Sequence, residues 1–294
     1  MLFITPEIVM NAEEFRLLRD FVYQLCGLHF TEDSKYLLEK RLARRLQAHS
    51  LKSFKDYYYF LRYSPGKDQE LSELIDLLTT NETYFFREDF QLRTFSDEIL
   101  QELRERKEKS GNRHLRIWSA GCSSGEEPYT IAMLLLDLPW LKDWRVEVIG
   151  TDISQRVLHM ARQAVYGESA FRTTDAVYRQ RFFVSDGNGK WRVRDEVRSL
   201  VSISHLNLFD AARVTLLGRM DVVFCRNVII YFDQAGKKKV VDTFHQRLHP
   251  EGFLLLGHSE SLMNISTAFK LRHFKHDMVY QKPAEARLVT GGAP

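Results

Sequence analysis

The sequence has little cysteine: three residues in 294, Cys26, Cys122 and Cys225, odd in number, far apart and in none of the spacings that ligate a metal. A disulfide framework and a cysteine-held metal are both disfavoured, and reduced thiols in a cytosolic setting follow. Long apolar runs are also missing. The most apolar stretch, 131–141, is broken by Asp137 and Pro139, well short of a membrane span. The opening "MLFITPEIVMNAEEF" carries no basic segment followed by an apolar one, which argues against export. Charge of one sign is scarce too: 42 basic residues face 39 acidic ones, a net +3, with the two signs interspersed, so no general affinity for nucleic acid follows and any basic footprint must be local. The glycines form neither G-x-G-x-x-G nor the GK[ST] of a P-loop, which disfavours a dinucleotide or a triphosphate. No His-Asp or Cys-His constellation is evident, and His205, His258 and His273 are assigned surface or packing roles.

What is present divides in two. Residues 11–80 read as helices: Phe15, Leu18, Val22 and Leu25 recur at helical spacing, Asn11 offers an N-cap and Gly27 a stop. In "SKYLLEKRLARRLQAHS", at about 100° per residue, Leu38, Leu42 and Leu46 share one side, while Lys40, Arg41, Arg44 and Arg45 cover a separate arc. That arc is either a solvated face or a grip for an acidic partner. From about residue 115 strands alternate with helices, the pattern of a mostly parallel sheet covered on both faces. The strands are placed at "LRIWSA", "RVEVIGTDI", "VSISHLNLF", "MDVVFC" and "GFLLLGHSE", with an antiparallel pair in "FKLRHFKHDMVYQK". "FFVSDGNGKWRVR" reads as a hairpin inserted between the second and third strands.

In such a sheet the ligand lies beyond the carboxyl ends of the strands. Gly121, Asp152, Asn207, Arg226 and Asn227 all stand at those ends. Asp152, about thirty residues past the glycine turn, is suited to accept the two hydroxyls of a ribose; as an alternative it caps the following helix. In "WSAGCSSGEEPY" two carboxylates, Glu126 and Glu127, occupy a helix entrance where a phosphate would otherwise sit. They fit a ligand whose near end is cationic, and S-adenosyl-L-methionine has a ribose, a sulfonium and an ammonium but no phosphate. The competing reading is simple complementation of the helix dipole. "TTNETYFFRED" joins the two regions: Asn81, Thr83 and Arg87 present polar groups, and Phe85 and Phe86 anchor them. In "FCRNVIIYFD", Arg226, Asn227 and Tyr231 stand where amino-methylating enzymes often carry an N-P-P-Y type sequence; an arginine and a tyrosine suit an anionic acceptor instead.

Together "NETYFFRE", "SAGCSSGEEPY" and "FCRNVIIYF", in this order, resemble the chemotaxis-receptor methyltransferase (CheR) family over about residues 11–282. The resemblance implies an α/β fold: a class I S-adenosylmethionine-dependent methyltransferase domain, Rossmann-like and mostly parallel with an antiparallel last strand. It is preceded by a small all-α N-terminal domain and carries a small antiparallel β-subdomain as an insertion. The corresponding divisions are 1–80, 81–283 with the insertion at about 178–200, and a flexible tail over 284–294. The implied activity is protein-glutamate O-methylation, with S-adenosyl-L-homocysteine as product, on the cytoplasmic methylation helices of a methyl-accepting chemoreceptor. The enzyme would be cytoplasmic and reach the membrane only through that receptor. By position, Asn81, Thr83, Arg87, Gly121, Glu127, Asp152, Asn207, Leu208, Arg226 and Asn227 would hold the cofactor. Arg87 and Tyr231 would face the acceptor glutamate, and Lys40, Arg41, Arg44 and Arg45 would meet the receptor. The inserted hairpin is a candidate site for a receptor C-terminal peptide. No metal and no nucleic acid are called for. Two other readings remain at this stage: a methyltransferase of the same fold with another acceptor, and a non-catalytic S-adenosylmethionine-binding signalling module.

Overall fold

A computed structural model describes residues 8–284; apart from Ala284, the tail expected over 284–294 lies outside the described residues. The first helix, α1 (Ala12–Cys26), starts where the sequence places it. The Asn11 side chain accepts from Glu14 N and the Glu14 carboxylate accepts from Asn11 N, both at 2.9 Å, a reciprocal cap worth about 1 kcal/mol. Gly27, at φ 77°, ends it. Three more helices, α2 (Lys35–Ala48), α3 (Phe54–Tyr63) and α4 (Lys67–Leu78), complete the all-α domain. Its core joins Leu38, Leu42 and Leu46 to Phe15, Leu18, Phe54, Tyr57 and Leu74.

The basic arc of α2 does not act as one surface. Arg45 forks onto the buried Glu70 carboxylate, 2.8 and 2.5 Å, which also takes Tyr57 Oη and lies 2.6 Å from His49 Nε2. Arg41 donates to Leu78 O at 2.8 Å. Lys40 and Arg44 are the exposed pair. Of the four residues expected to meet a partner, Arg41 and Arg45 are half-buried and bonded within the domain, and Lys40 and Arg44 stand free on its surface. Glu70 is far from α2 in sequence, so nothing local in the sequence reveals what captures Arg45.

Beyond residue 88 the chain is α/β. Its strands are β1 (His114–Ala120), β2 (Arg145–Asp152), β3 (Val165–Tyr166), β4 (Phe183–Gly187), β5 (Lys190–Val193), β6 (Val201–His205), β7 (Met220–Cys225), β8 (Leu248–Leu256), β9 (Lys270–His273) and β10 (Met278–Gln281). The helices are α5 (Asp89–Arg93), α6 (Leu100–Lys109), α7 (Glu126–Leu136), α8 (Gln155–Gln163), α9 (Ala176–Phe182), α10 (Asp195–Arg198), α11 (Ala211–Thr215) and α12 (Gln234–Arg247). A π-type turn, Thr94–Ile99, joins α5 to α6. The main sheet runs β6-β2-β1-β7-β8-β10-β9, parallel through β8 and antiparallel at β10 and β9. Successive residues face opposite cores, Ile117 and Val222 on one side and Trp118 and Val223 on the other; this explains strands that are apolar throughout.

Strand order reverses between β1 and β7, the position at which an open parallel sheet leaves a crevice for a ligand. β8 begins four residues before the stretch anticipated from Gly252, passing through Pro250 and a left-handed Glu251 at φ 61° where its pairing with β7 slips. The inserted hairpin, β4 and β5, pairs with β3 in a separate antiparallel sheet ordered β3-β5-β4. This small sheet therefore starts at Val165, before the expected boundary near 178. A two-residue strand carries too little periodicity to be read from sequence. Among the described residues no helix is long and apolar enough to cross a membrane.

Candidate active site

A cavity of about 370 Å³ lies at the strand-order reversal, within the usual range of small-molecule sites. Every residue predicted for the cofactor or the acceptor lines it: Asn81, Thr83, Arg87, Gly121, Glu127, Asp152, Asn207, Leu208, Arg226, Asn227 and Tyr231. Lys40, Arg41, Arg44 and Arg45 do not.

The floor is the turn after β1. Gly121, at φ 84°, and Cys122 both donate to Thr151 O, at 2.8 and 2.9 Å, which binds the turn to the end of β2. A Cβ on Gly121 would stand 2.4 Å from Val228 Cγ2; only glycine permits this backbone approach. Asp152, 8% exposed, accepts Ser123 N on Oδ2 and Ser154 N on Oδ1, both at 2.9 Å. Each oxygen keeps acceptor capacity for a hydroxyl. The helix cap is Ser154 itself, whose Oγ accepts from Val157 N, so the capping alternative for Asp152 is not what the structure adopts. Burial raises the Asp152 pKa against the pull of those N–H groups.

The two glutamates part company. Glu127 faces the cavity, with Ser119 Oγ donating to Oε1 at 2.7 Å and Arg226 Nη1 lying 3.2 Å from Oε2. Burial raises its pKa, while the Arg226 charge and the Ser119 bond favour the ionised form. Glu126 turns away from the cavity and accepts from Ser124 Oγ at 2.8 Å. The expectation that both carboxylates flank the ligand is thus corrected to Glu127 alone, because consecutive helical residues point about 100° apart.

Burial lifts Glu126 to a pKa of about 7. A carboxyl raised in the folded state holds its full contribution below the unfolded pKa and loses it as pH rises to the folded one. Glu126→Gln should therefore match the wild type near pH 4.5 and gain on it up to about pH 7, by as much as ~3 kcal/mol. Urea unfolding of both proteins across that range checks the sign; a constant difference would contradict it.

Arg226 has most of its guanidinium committed within the protein, Nε alone being buried without a partner. Its side chain is 2% exposed and bridges Glu127 and Glu88, each at 3.2 Å, and its Nη2 also donates to Arg87 O. The sequence reading of Arg226 as a grip on an anionic acceptor is replaced: it pins the 79–88 strap to β7 and balances two carboxylates. The strap is strained, with Phe86 and Glu88 at φ 58° and 56°, and Ser123 and Asn227 across the cavity at 48° and 60°. Left-handed non-glycine residues cost roughly 1 kcal/mol or more each and gather at binding sites. Phe85 and Phe86 anchor the strap in the core, and Asn81 O accepts from Ser123 Oγ at 3.3 Å. Arg87 remains partly exposed, with Nη1 donating to Glu82 O at 2.8 Å.

Two roles were not legible in the sequence. The Glu260 carboxylate accepts from the backbone N–H of Asn227, Val228, Ile230 and Gly257, at 2.7–3.2 Å, and so shapes the loop that carries Asn227 and Tyr231. Only "HSE" at the end of β8, a polar strand exit like the others, marked the place. Asn207 spends its side chain on structure: Nδ2 donates to Leu25 O at 2.7 Å and Oδ1 accepts from Phe209 N at 2.9 Å. The part of Asn207 left for a ligand is its backbone.

A nucleoside-sized cavity with a glycine floor, a buried ribose-type carboxylate and a second carboxylate suited to an ammonium defines a class I S-adenosylmethionine-dependent methyltransferase. The residues present fit that cofactor: Asp152 retains acceptor capacity, and Asn227 Oδ1 is buried without a partner. A family model described as the CheR methyltransferase SAM binding domain matches residues 81–278, and one described as the CheR methyltransferase all-alpha domain matches 13–79. The chain belongs to the CheR methyltransferase family. It is 36% identical over 282 residues to chemotaxis protein methyltransferase 2 of Vibrio cholerae, 96% of either chain. The chemotaxis protein methyltransferase of Borreliella burgdorferi is 37% identical over 255 residues, 86% of this chain and 89% of that one. Chemotaxis protein methyltransferase 2 of Pseudomonas aeruginosa is 36% identical over 267 residues, 90% and 92%.

Proposed function

We propose that the protein methylates glutamate side-chain carboxylates on the cytoplasmic helices of a chemoreceptor, working in the cytoplasm and leaving glutamate methyl esters and S-adenosyl-L-homocysteine. The observation that carries this reading is the convergence of Glu127, Asp152, Arg87 and Tyr231 on one cavity. The bound cofactor supplies a methyl group already activated on sulfur, and a glutamate ionised at neutral pH takes it without a general base.

The chain's task is then alignment and exclusion of water. Asp152 takes the ribose hydroxyls, and Glu127, whose burial raises its pKa while Arg226 and Ser119 oppose that rise, takes the ammonium, a cation that itself favours the carboxylate. Arg87, bound to Glu82 O through one terminal nitrogen, keeps further N–H donors for the acceptor carboxylate, and Tyr231 flanks it. Exposed Lys40 and Arg44 suit the acidic surface of the methylation helices. A receptor C-terminal peptide would add by strand pairing at β4, one of the two edges of the small sheet.

Arg87→Ala should lower kcat/KM for the receptor by about 10- to 100-fold, the loss of a charge-assisted bond, and weaken cofactor binding less. Steady-state kinetics with calorimetry separate the two effects. Full transfer with unchanged cofactor affinity would contradict the role.

A further inference from the structure

The end of α1 meets the catalytic domain in a close contact between Gly27 and the Phe209 ring. Gly27, at φ 77°, lies so close to the Phe209 ring that a Cβ on it would stand 2.0–2.5 Å from Cζ, Cε2 and Cε1. The half-buried ring packs against Phe232, with centroids 5.1 Å apart, and Tyr23 at 6.4 Å, with Lys239 Nζ 4.7 Å above its face. Around it the two domains are bonded directly. Asn207 Nδ2 donates to Leu25 O at 2.7 Å, His29 N to Tyr231 O at 3.0 Å, and Tyr23 Oη to Asp233 at 3.1 Å.

The residues flanking Gly27, Cys26 and Leu28, belong to the all-α domain but line the cavity; so do Asn207 and Leu208, just before Phe209. One joint therefore positions two walls, one from each domain. A small residue at 27 is required twice over, by the left-handed φ and by the ring.

We infer that the Gly27–Phe209 contact, with the Asn207–Leu25 bond, positions the end of α1 as a wall of the cofactor cavity, so that the all-α domain sets cofactor affinity as well as presenting a surface to the receptor. Gly27, Asn207 and Phe209 are positioning residues: they act through the placement of Cys26 and Leu28. By linkage, whatever displaces the all-α domain on this joint changes cofactor affinity, and bound cofactor changes the domain's placement by the same free energy.

The inference rests on the cavity being the cofactor site, and Asp152→Ala tests that separately. With the full chain, S-adenosyl-L-homocysteine binding is measured by calorimetry for wild type, Gly27→Ala, Phe209→Ala and the double variant, with thermal unfolding of each. Gly27→Ala should weaken binding by about tenfold or more, a difference of about 1.4 kcal/mol, and Phe209→Ala should weaken it by removing the support. In the double variant the clash is gone, so binding should be tighter than the two single losses multiplied together, the coupling expected of residues in contact. Should Gly27→Ala not fold, Phe209→Leu, which introduces no clash, carries the test with the same expected direction. Folded Gly27→Ala and Phe209→Ala proteins that bind as the wild type does, while Asp152→Ala does not, would overturn the inference. Wild-type affinity in Asp152→Ala would overturn the cavity assignment instead.

Discussion

Asp152→Ala is expected to weaken S-adenosyl-L-methionine binding by about 100- to 10,000-fold. The estimate follows from two hydroxyl bonds to a carboxylate at ~1.5–3 kcal/mol each, with every ~1.4 kcal/mol a factor of ten. A second effect accompanies it. The carboxylate also satisfies Ser123 N and Ser154 N, and buried N–H groups left without acceptors cost about 1–3 kcal/mol each. The variant should thus unfold at lower temperature even without ligand, and the stabilisation that cofactor gives the wild type should vanish at the same ligand concentration. Because burial raises the Asp152 pKa, wild-type affinity should begin to fall, as pH drops, above the range of an ordinary carboxylate. Calorimetry across acidic pH reads both effects. A variant that binds within about threefold of wild type would remove Asp152 from the ribose site.

Arg226→Met should cost about 3–5 kcal/mol of folding free energy near neutral pH, since it leaves Glu127 and Glu88 without the cation that bridges them. At about 2–4 °C per kcal/mol for a chain of roughly this size, the midpoint should drop by about 10 °C. The sign of the pH dependence is fixed by Glu127, whose folded pKa is already raised by burial. Removing Arg226 raises it further. A raised carboxyl destabilises the fold only once it must ionise, so the deficit of the variant should be small below the unfolded carboxyl range and widen as pH rises through the folded value. Denaturant unfolding at an acidic and a neutral pH tests this. A deficit under about 1 kcal/mol at both would mean that the bridge is no more than a surface ion pair.

The parts legible in the sequence are those with local causes. Asn11 with Glu14, and Gly27, mark the two ends of α1 because caps are read within a few residues. The strand exits name Gly121, Asp152, Asn207 and Arg226 because the geometry of a parallel sheet gathers those ends. What was not legible depends on partners distant along the chain. Glu70 captures Arg45 across 25 residues, Leu25 captures Asn207 across 182, and Glu127 and Glu88 both pair with Arg226. In each case residue type and position were visible, yet the side chain's commitment was settled by tertiary packing. Glu260 shows the converse: a residue with no local motif closes the loop on which Asn227 and Tyr231 stand.

The most direct measurement is methyl transfer itself. Purified protein is incubated with methyl-labelled S-adenosyl-L-methionine and receptor-containing membranes, and the protein-bound label is treated with mild alkali. Label on the receptor that leaves as methanol is the expected result, since a glutamate methyl ester hydrolyses under those conditions. Label that stays on the protein through alkali, or no transfer to any of a panel of receptors by a protein that binds the cofactor, would contradict glutamate O-methylation.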